Sequence, residues 1–139
     1  MPQTDAGSTK RDVVVPEGWR DFYEATHIPA AVRVGDTLRL TGHTGDMADG
    51  TFSADSATQA RQTFVNISLT LSAAGISWSD VVEITSYRVG LRAQTDDLLK
   101  AASEFLEDPY PAWTDVGVTE LFEPDAVVEI SCIAVLPAK

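Results

Sequence analysis

Apolar side chains recur at helical spacing between residues 56 and 74. They follow one another at intervals of three and four residues: Ala57, Ala60, Phe64, Ile67, Leu71 and Ala74. Such a stripe is typical of an amphipathic helix that packs one face on a core. Gly75 follows, at the position where helix ends favour a residue in the left-handed conformation. The pattern therefore predicts a helix from Ser56 to Ala74.

Runs rich in β-branched residues predict strands on both sides of this helix. They cover Asp12–Val15, Ala30–Val34, Thr37–Thr41, Val81–Leu91, Ala112–Val118 and Ala126–Leu136. Gly35 and Asp36 predict a hairpin turn between the second and third runs. A second helix is expected over Asp97–Leu106, capped by Thr95 or Asp96. The order β-β-β-α-β-α-β-β predicts an α+β fold in which a mixed sheet carries both helices on one face.

The last predicted strand is apolar on one face and largely apolar on the other. One parity holds Val128, Ile130, Cys132, Ala134 and Leu136, and the other holds Val127, Glu129, Ser131, Ile133 and Val135. The first set can cover the helices, while the second is too apolar for an open solvent face. Because both helices are already placed, a second copy of the same sheet is the expected cover. The protein is therefore predicted to be a homo-oligomer.

Glu129 lies within this second, largely apolar face. A carboxylate in such surroundings has its pKa raised by desolvation, which suits it to acid or base catalysis near neutral pH. Alternatively, it is bonded to neighbouring backbone, or to an arginine such as Arg39 or Arg88. The spacing alone leaves both interpretations open.

Length and composition are those of one ordinary globular domain. The 139 residues, 44% apolar and 22% charged, suffice for a single core, predicted to span residues 12–139 after a polar, disordered arm over residues 1–11. No run approaches the ~18 apolar residues of a membrane span, so no membrane partner is expected. The first residues lack the apolar segment of a secretory signal, which predicts a cytoplasmic protein.

Charge and the metal-binding residue types exclude further partners. Ten basic against 21 acidic side chains give a formal charge of −11, which would repel the phosphates of nucleic acid. One cysteine, Cys132, and two histidines, His27 and His43, form no ligand cluster, so neither a metal nor another cofactor is expected. Cys132 lies on the core parity and is expected to be an inert, buried thiol.

Four blocks of sequence resemble one known family. They are AVRVGDTLRLTGHTG at Ala31–Gly45, the N-I-x-x-x-L-x-x-A-G register at Asn66–Gly75, DVVEITSYRVGL at Asp80–Leu91 and VVEISCIAVLP at Val127–Pro137. Together they resemble the RidA/YjgF family of reactive-intermediate deaminases, also described as L-PSP endoribonucleases. The resemblance implies a chorismate-mutase-like protomer and a homotrimer with three clefts at the subunit interfaces. The acidic composition argues against RNA as the substrate.

The resemblance also implies roles for individual residues. In active family members a strand arginine clamps the substrate carboxylate, and a glutamate on the last strand positions the water that hydrolyses an enamine or imine to a ketone and ammonia. Glu129 matches that glutamate, whereas Trp113 occupies the arginine position. The family's tyrosine-containing segment reads His27-Ile28-Pro29-Ala30 here, and its Ser-Gly-Gln reads Thr41-Gly42-His43.

These matches define the predicted site. Glu129 is the predicted catalytic residue, and the predicted substrate-binding residues are Trp113, Asp115, Thr41, Gly42, His43 and Ile28. Since an indole offers one N–H and no charge, it cannot replace the guanidinium clamp. We therefore expect a small neutral or aromatic imine, enamine or related metabolite rather than the usual 2-aminoacrylate.

Several alternatives stay open at this level. Trp113 is either a platform for the ligand or a plug that fills the cleft. Asp115 is either a second carboxylate near Glu129 or a solvated residue at a strand end, and His43 is either an acid or base or a surface-loop residue. The protein itself is either a hydrolase or a non-catalytic trimer that binds a small metabolite or a partner protein.

Overall fold

Seven strands form one mixed sheet in the computed structural model, which describes residues 10–137. The strands are β1 (Asp12–Val14), β2 (Ala31–Val34), β3 (Thr37–Leu40), β4 (His43–Thr44), β5 (Val81–Val89), β6 (Ala112–Val118) and β7 (Val128–Val135). Their order is β1-β2-β3-β7-β5-β6, and β4 pairs with β7. Only the β5–β6 pair is parallel among these strands. Most of the predicted arm, residues 1–9, lies outside the described residues.

The helices are α1 (Arg20–Thr26), α2 (Ser56–Ala73) and α3 (Leu91–Ala102), and a single 3-10 turn covers Trp78–Asp80. The Asp55 side chain caps α2 by accepting the Thr58 N–H, and Gly75 follows its end at φ 76°. Phe64, Ile67 and Leu71 of α2 are buried in the core. The predicted α+β fold and its long amphipathic helix are confirmed.

The second predicted helix is shifted toward the N-terminus. Gly90 adopts the left-handed conformation at φ 71°, ends β5 and directly precedes α3. The Thr95 hydroxyl donates to the Leu91 carbonyl inside the helix, so the predicted cap at Thr95 or Asp96 is wrong. Leu98 and Ala102 of this helix are buried against the core.

Two short elements were not predicted. The helix α1 buries none of its residues and ends at His27, which has φ 64° and donates its N–H to the Tyr23 carbonyl. The strand β4 has two residues and follows the third predicted run, at a place where no strand is predicted. Neither element is long enough to show an apolar period.

The two faces predicted for the last strand are confirmed. Val128, Ile130, Cys132 and Ala134 are buried beneath the helices. Glu129, Ser131 and Ile133 are half-buried on the other side, and Val135 is exposed. We call this second side, with the residues in register on neighbouring strands, the outer face. It carries the candidate site.

Candidate functional site

Glu129 lies on the outer face between two strands. Its Cα is in register with Thr44 of β4 on one side and with Tyr87 of β5 on the other. Burial raises the pKa of the Glu129 carboxyl above its usual range. No side chain or backbone group within residues 10–137 donates a hydrogen bond to this carboxylate. The site thus holds a partly desolvated carboxylate that is ready to accept a proton or a hydrogen bond.

Gly42 forms the floor beneath this carboxylate. A Cβ added at Gly42 would stand 2.1 Å from Glu129 Oε2 and 2.9 Å from its Cγ. These separations are far below van der Waals contact, so only glycine leaves room for the carboxylate in its present position. The sequence predicts Gly42 and Glu129 as site residues from two separate blocks, and the structure places the two residues against each other.

His43 supports this floor from the helix side of the sheet. The ring is only 6% exposed; its Nδ1 lies 2.6 Å from the Thr41 carbonyl oxygen and its Nε2 2.7 Å from Thr70 Oγ1. Because a carbonyl can only accept, we assign the proton to Nδ1, so that Nε2 accepts from the Thr70 hydroxyl. The Trp19 ring packs against His43 at 5.6 Å between centroids.

The surface-loop interpretation of His43 is therefore wrong. Burial lowers the pKa of its imidazole, although the hydrogen bond to the Thr41 carbonyl acts in the opposite direction. His43 is in register with the buried Ile130, so its side chain lies on the face opposite Glu129. The histidine braces the Thr41–Gly42 backbone and does not present its ring to the carboxylate.

Thr41 connects the floor to the segment that precedes β2. Its hydroxyl donates to the Pro29 carbonyl at 2.7 Å, and its N–H donates to the Ala30 carbonyl at 2.9 Å. Ile28, one residue earlier, is 44% exposed. Thr41, Gly42, His43 and Glu129 are thus brought together, with Ile28 on the adjoining segment.

Trp113 lies on the helix side of the sheet. It is in register with Ile84, which pairs in turn with the buried Cys132. The indole N–H donates to Ser86 Oγ at 2.9 Å, and the ring meets Phe64 edge-on at 6.4 Å between centroids. Within one chain Trp113 and Glu129 therefore lie on opposite faces of the sheet. The indole fills space in the core, which favours the interpretation of Trp113 as a plug over that of a platform for the ligand.

Asp115 is also on the helix side, where it pairs with a buried arginine. Its carboxylate accepts from Ser86 Oγ at 2.7 Å and from both Nε and a terminal nitrogen of Arg88. Arg88 is 1% exposed, and its other terminal nitrogen donates to the Gln94 carbonyl. Burial alone would raise the pKa of Asp115, but the hydrogen bonds from Arg88 and Ser86 and the positive charge together lower it.

This ion pair corrects two interpretations at once. Asp115 is partly exposed, but it lies in the middle of β6 and binds Arg88, and it is not a second carboxylate beside Glu129 in the same chain. Arg88 is not the partner of Glu129, because Asp115 already binds it in a bidentate manner. Nothing in the local sequence pattern predicted the pair, since it depends on the parallel register that places Ser86 opposite Asp115.

Buried amides fix the loops that border the site. Gln59 of α2 donates to the Ser53 and Asp125 carbonyls at 2.8 and 2.9 Å and accepts from the Val127 N–H at 3.0 Å. Gly45 passes so close to the helix that an added Cβ would lie 2.3 Å from the Gln59 carbonyl oxygen. The helix α2 therefore positions both the loop after β4 and the start of β7.

A metal-ligand cluster and a membrane-spanning helix are both absent from the part of the chain that the structure describes. Across residues 10–137, no three His, Cys, Asp or Glu side chains are grouped as metal ligands, and no helix is long and apolar enough to cross a membrane. Cys132 is buried, which raises the pKa of its thiol to about 12. Two shallow depressions, of 480 and 310 Å³, are lined by residues other than Glu129.

Comparison with known proteins identifies the class. The family model described as endoribonuclease L-PSP matches residues 22–136. The chain is 38% identical over 129 residues to the RutC family protein YjgH of Escherichia coli K12, covering 92% of this chain and 97% of that protein. A solved structure of protein YJGH superposes with a TM-score of 0.85 at 36% identity, covering 94% of this chain and all of the other. The chain therefore belongs to the RidA/YjgF family.

A second curated relative carries the name of an enzyme. The 2-iminobutanoate/2-iminopropanoate deaminase of Dermatophagoides farinae is 33% identical over 114 residues, covering 76% of this chain and 83% of that protein. Its name assigns to that protein the deamination of 2-iminobutanoate and 2-iminopropanoate. Imine deamination is thus the activity named for one relative of this chain.

Proposed function

We propose that the protein is a homotrimeric hydrolase whose inter-subunit clefts bind a small imine or enamine that lacks a carboxylate. Glu129 acts as the base that activates water. The observation that carries this proposal is the half-buried Glu129 carboxylate, which is seated against Gly42 and has no hydrogen-bond partner within residues 10–137. Its raised pKa improves it as a base relative to an ordinary carboxylate.

Within residues 10–137 of a single chain, no positively charged side chain lies close enough to Glu129 to bind the carboxylate of a substrate. Trp113 stands at the family's clamp position, and Asp115 neutralises Arg88. Arg39 shares the outer face but is in register with Ile133, four residues along β7 from Glu129 and so roughly 13 Å away. A neutral imine therefore fits this face better than a 2-imino acid does.

The outer face also supports assembly of several copies. Val116 and Val135 are 39% and 41% exposed on it, so a single chain leaves apolar surface open. Ile133 is in register with Arg39 on one side and Glu83 on the other, and both charged residues are exposed. A face with both signs of charge around an apolar centre is complementary to other copies of itself.

The oligomer is tested by light scattering on the purified protein. We expect the mass of a trimer, and we expect Ile133→Asp to dissociate it, because assembly would have to desolvate a carboxylate at the apolar centre of the face, at a cost of several kcal/mol. The exchange Leu99→Asp, at a 57% exposed residue of α3 on the opposite, helix-covered side of the sheet, is the matched control and should leave the mass unchanged. A stable monomer of the wild-type protein at micromolar concentration would refute the trimer.

The hydrolase is tested with imines generated in situ. A flavin amine oxidase supplies the carboxylate-free imine from benzylamine, and an amino-acid oxidase supplies 2-iminopropanoate from alanine. We expect faster release of ammonia from the first imine only. The exchange Glu129→Gln should lower that acceleration by roughly 10²–10⁴-fold with the trimer intact. Comparable turnover of 2-iminopropanoate would show that another residue provides the clamp.

Stability separates a catalytic role for Glu129 from a structural one. Burial raises the pKa of the folded-state carboxyl, so the folded protein binds more protons than the unfolded chain just above about pH 4.3. Stability therefore falls as the pH rises through this window, and Glu129→Gln should be at least as stable as the wild type at pH 7. A large loss of thermal stability in this variant would instead indicate a structural role.

A further inference from the structure

Tyr87 stands directly opposite Glu129 on the outer face. The two Cα atoms are paired in the antiparallel β5–β7 register, so both side chains point to the same side of the sheet. Their Cβ atoms are expected at about 4.5–5.5 Å, the usual separation of cross-strand pairs. Tyr87 is half-buried, and within residues 10–137 its hydroxyl has no hydrogen-bond partner.

The neighbours of Tyr87 do not offer the same group. Val116, in register on β6, is apolar. Thr44, on the far side of Glu129, donates its hydroxyl to Asp46 at 3.1 Å. The phenol therefore supplies, next to the carboxylate, a hydroxyl on a long side chain that has no hydrogen-bond partner within residues 10–137.

We propose that Tyr87 is a catalytic residue of the Glu129 site and donates its hydroxyl hydrogen to the nitrogen of the bound imine. This inference rests on the proposed hydrolase. The proposed role of Tyr87 also narrows the class of ligand. The ligand needs an uncharged hydrogen-bond acceptor within reach of both side chains. Such an acceptor is the nitrogen of the imine or the carbonyl oxygen of the product. A carboxylate on the ligand would find no positively charged partner in this pair of side chains.

The two side chains are sufficient for a balanced reaction. In the first step Glu129 takes a proton from water, the oxygen bonds to the imine carbon, and the π electrons move to nitrogen, which takes the phenol proton. The product is a neutral carbinolamine beside a carboxylic acid and a phenolate. In the second step the C–N bond breaks, nitrogen takes the proton from Glu129, and the carbinolamine hydroxyl returns a proton to Tyr87. A ketone or aldehyde and ammonia leave, and both residues regain their initial states.

The exchange Tyr87→Phe tests the proposal because it removes one oxygen atom and keeps the ring. With the imine from benzylamine, kcat should fall by roughly 10²-fold or more, with KM changed less, as for loss of a general acid. The double variant Tyr87→Phe with Glu129→Gln should be hardly slower than Glu129→Gln alone, since the two groups act in one step. Tyr110→Phe is the matched control, because Tyr110 is 69% exposed and precedes β6 outside the outer face.

A binding measurement distinguishes the proposed role of Tyr87 from the proposed hydrolase activity. Benzamide, a neutral carbonyl compound, is titrated into the wild type and Tyr87→Phe by ligand-observed NMR. Weaker binding to Tyr87→Phe, with no hydrolysis by the wild type, would refute the hydrolase and keep Tyr87 as a ligand-binding residue. Loss of activity in Glu129→Gln with full activity in Tyr87→Phe would refute the role of Tyr87 alone. If the wild type neither hydrolyses the imine nor binds benzamide, both proposals fall.

Discussion

The exchange Gly42→Ala isolates the contact between the glycine and the carboxylate. The new methyl group would stand 2.1 Å from Glu129 Oε2 and 2.7 Å from its Cδ, so the carboxyl group must withdraw by more than about 1 Å. Gly42 has no unusual positive φ, so the alanine adds no backbone strain. The whole effect of the exchange should therefore pass through Glu129.

The expected effects on stability and on activity differ in size. Glu129 is a flexible side chain near the surface, so its displacement into another rotamer should cost about 1–2 kcal/mol and lower the melting temperature by a few degrees. Catalysis is more sensitive, because a misplacement of about 1 Å can lower the rate roughly 10²-fold. The variant should therefore remain folded while its rate of hydrolysis is strongly reduced.

Carbon-detected NMR of the labelled glutamates gives a readout that requires no substrate. The pKa of Glu129, raised in the wild type by burial, should move back toward its usual value in Gly42→Ala as the carboxylate turns to solvent. Gly117→Ala is the tolerated control, since its Cβ would meet only the Leu91 side chain at 3.6 Å. Gly45→Ala is the opposite control, because its Cβ would strike the Gln59 backbone and destabilise the fold.

The decisive comparison is made in a background without the carboxylate. If the clash with Glu129 causes the loss of stability, Gly42→Ala should cost nearly nothing in a Glu129→Ala protein. An equal loss of stability in both backgrounds would refute the reasoning, and so would an unchanged Glu129 pKa in Gly42→Ala.

Two further predictions concern the groups behind the outer face. The exchange Asp115→Asn leaves the buried Arg88 without its charged partner, so urea unfolding should show a loss of about 3 kcal/mol; an equally stable variant would contradict the ion pair. Burial lowers the pKa of His43, so the unfolded chain takes up a proton near pH 6.5 that the folded protein resists. The stability that this histidine contributes is therefore complete above pH ~6.5 and falls as the pH decreases below it. A variant His43→Gln should show a flatter pH dependence between about pH 6.5 and 5, and an unchanged slope would exclude His43 as the cause.

Local patterns predicted the elements that bury one continuous face. The stripe through Phe64 and Ile67 located α2, and the alternation along β7 placed Glu129 opposite the core. The start of α3 was missed because Gly90 ends the strand by its conformation, whereas Thr95 and Asp96 only resemble caps. A cap residue is informative only when the residues before it are not already helical.

The arrangement of the site depended on long-range register, which no local pattern contains. Spacing along β6 could not show that Asp115 would meet Ser86 and Arg88, because that requires the offset of two parallel strands. The same holds for Tyr87, whose place opposite Glu129 follows from the β5–β7 pairing. The family resemblance predicted Glu129 and Gly42 as site residues by position, but their close approach is a property of the folded chain.

The amide of Gln59 has a consequence for how the protein fluctuates. One side chain holds backbone atoms at Ser53, Asp125 and Val127, and it is itself 2% exposed within α2. Neither loop can swing outward alone without leaving part of a buried amide unsatisfied. The two loops thus share one opening reaction with the helix, and amide hydrogens anchored there should exchange as a single cooperative unit rather than as two independent flaps.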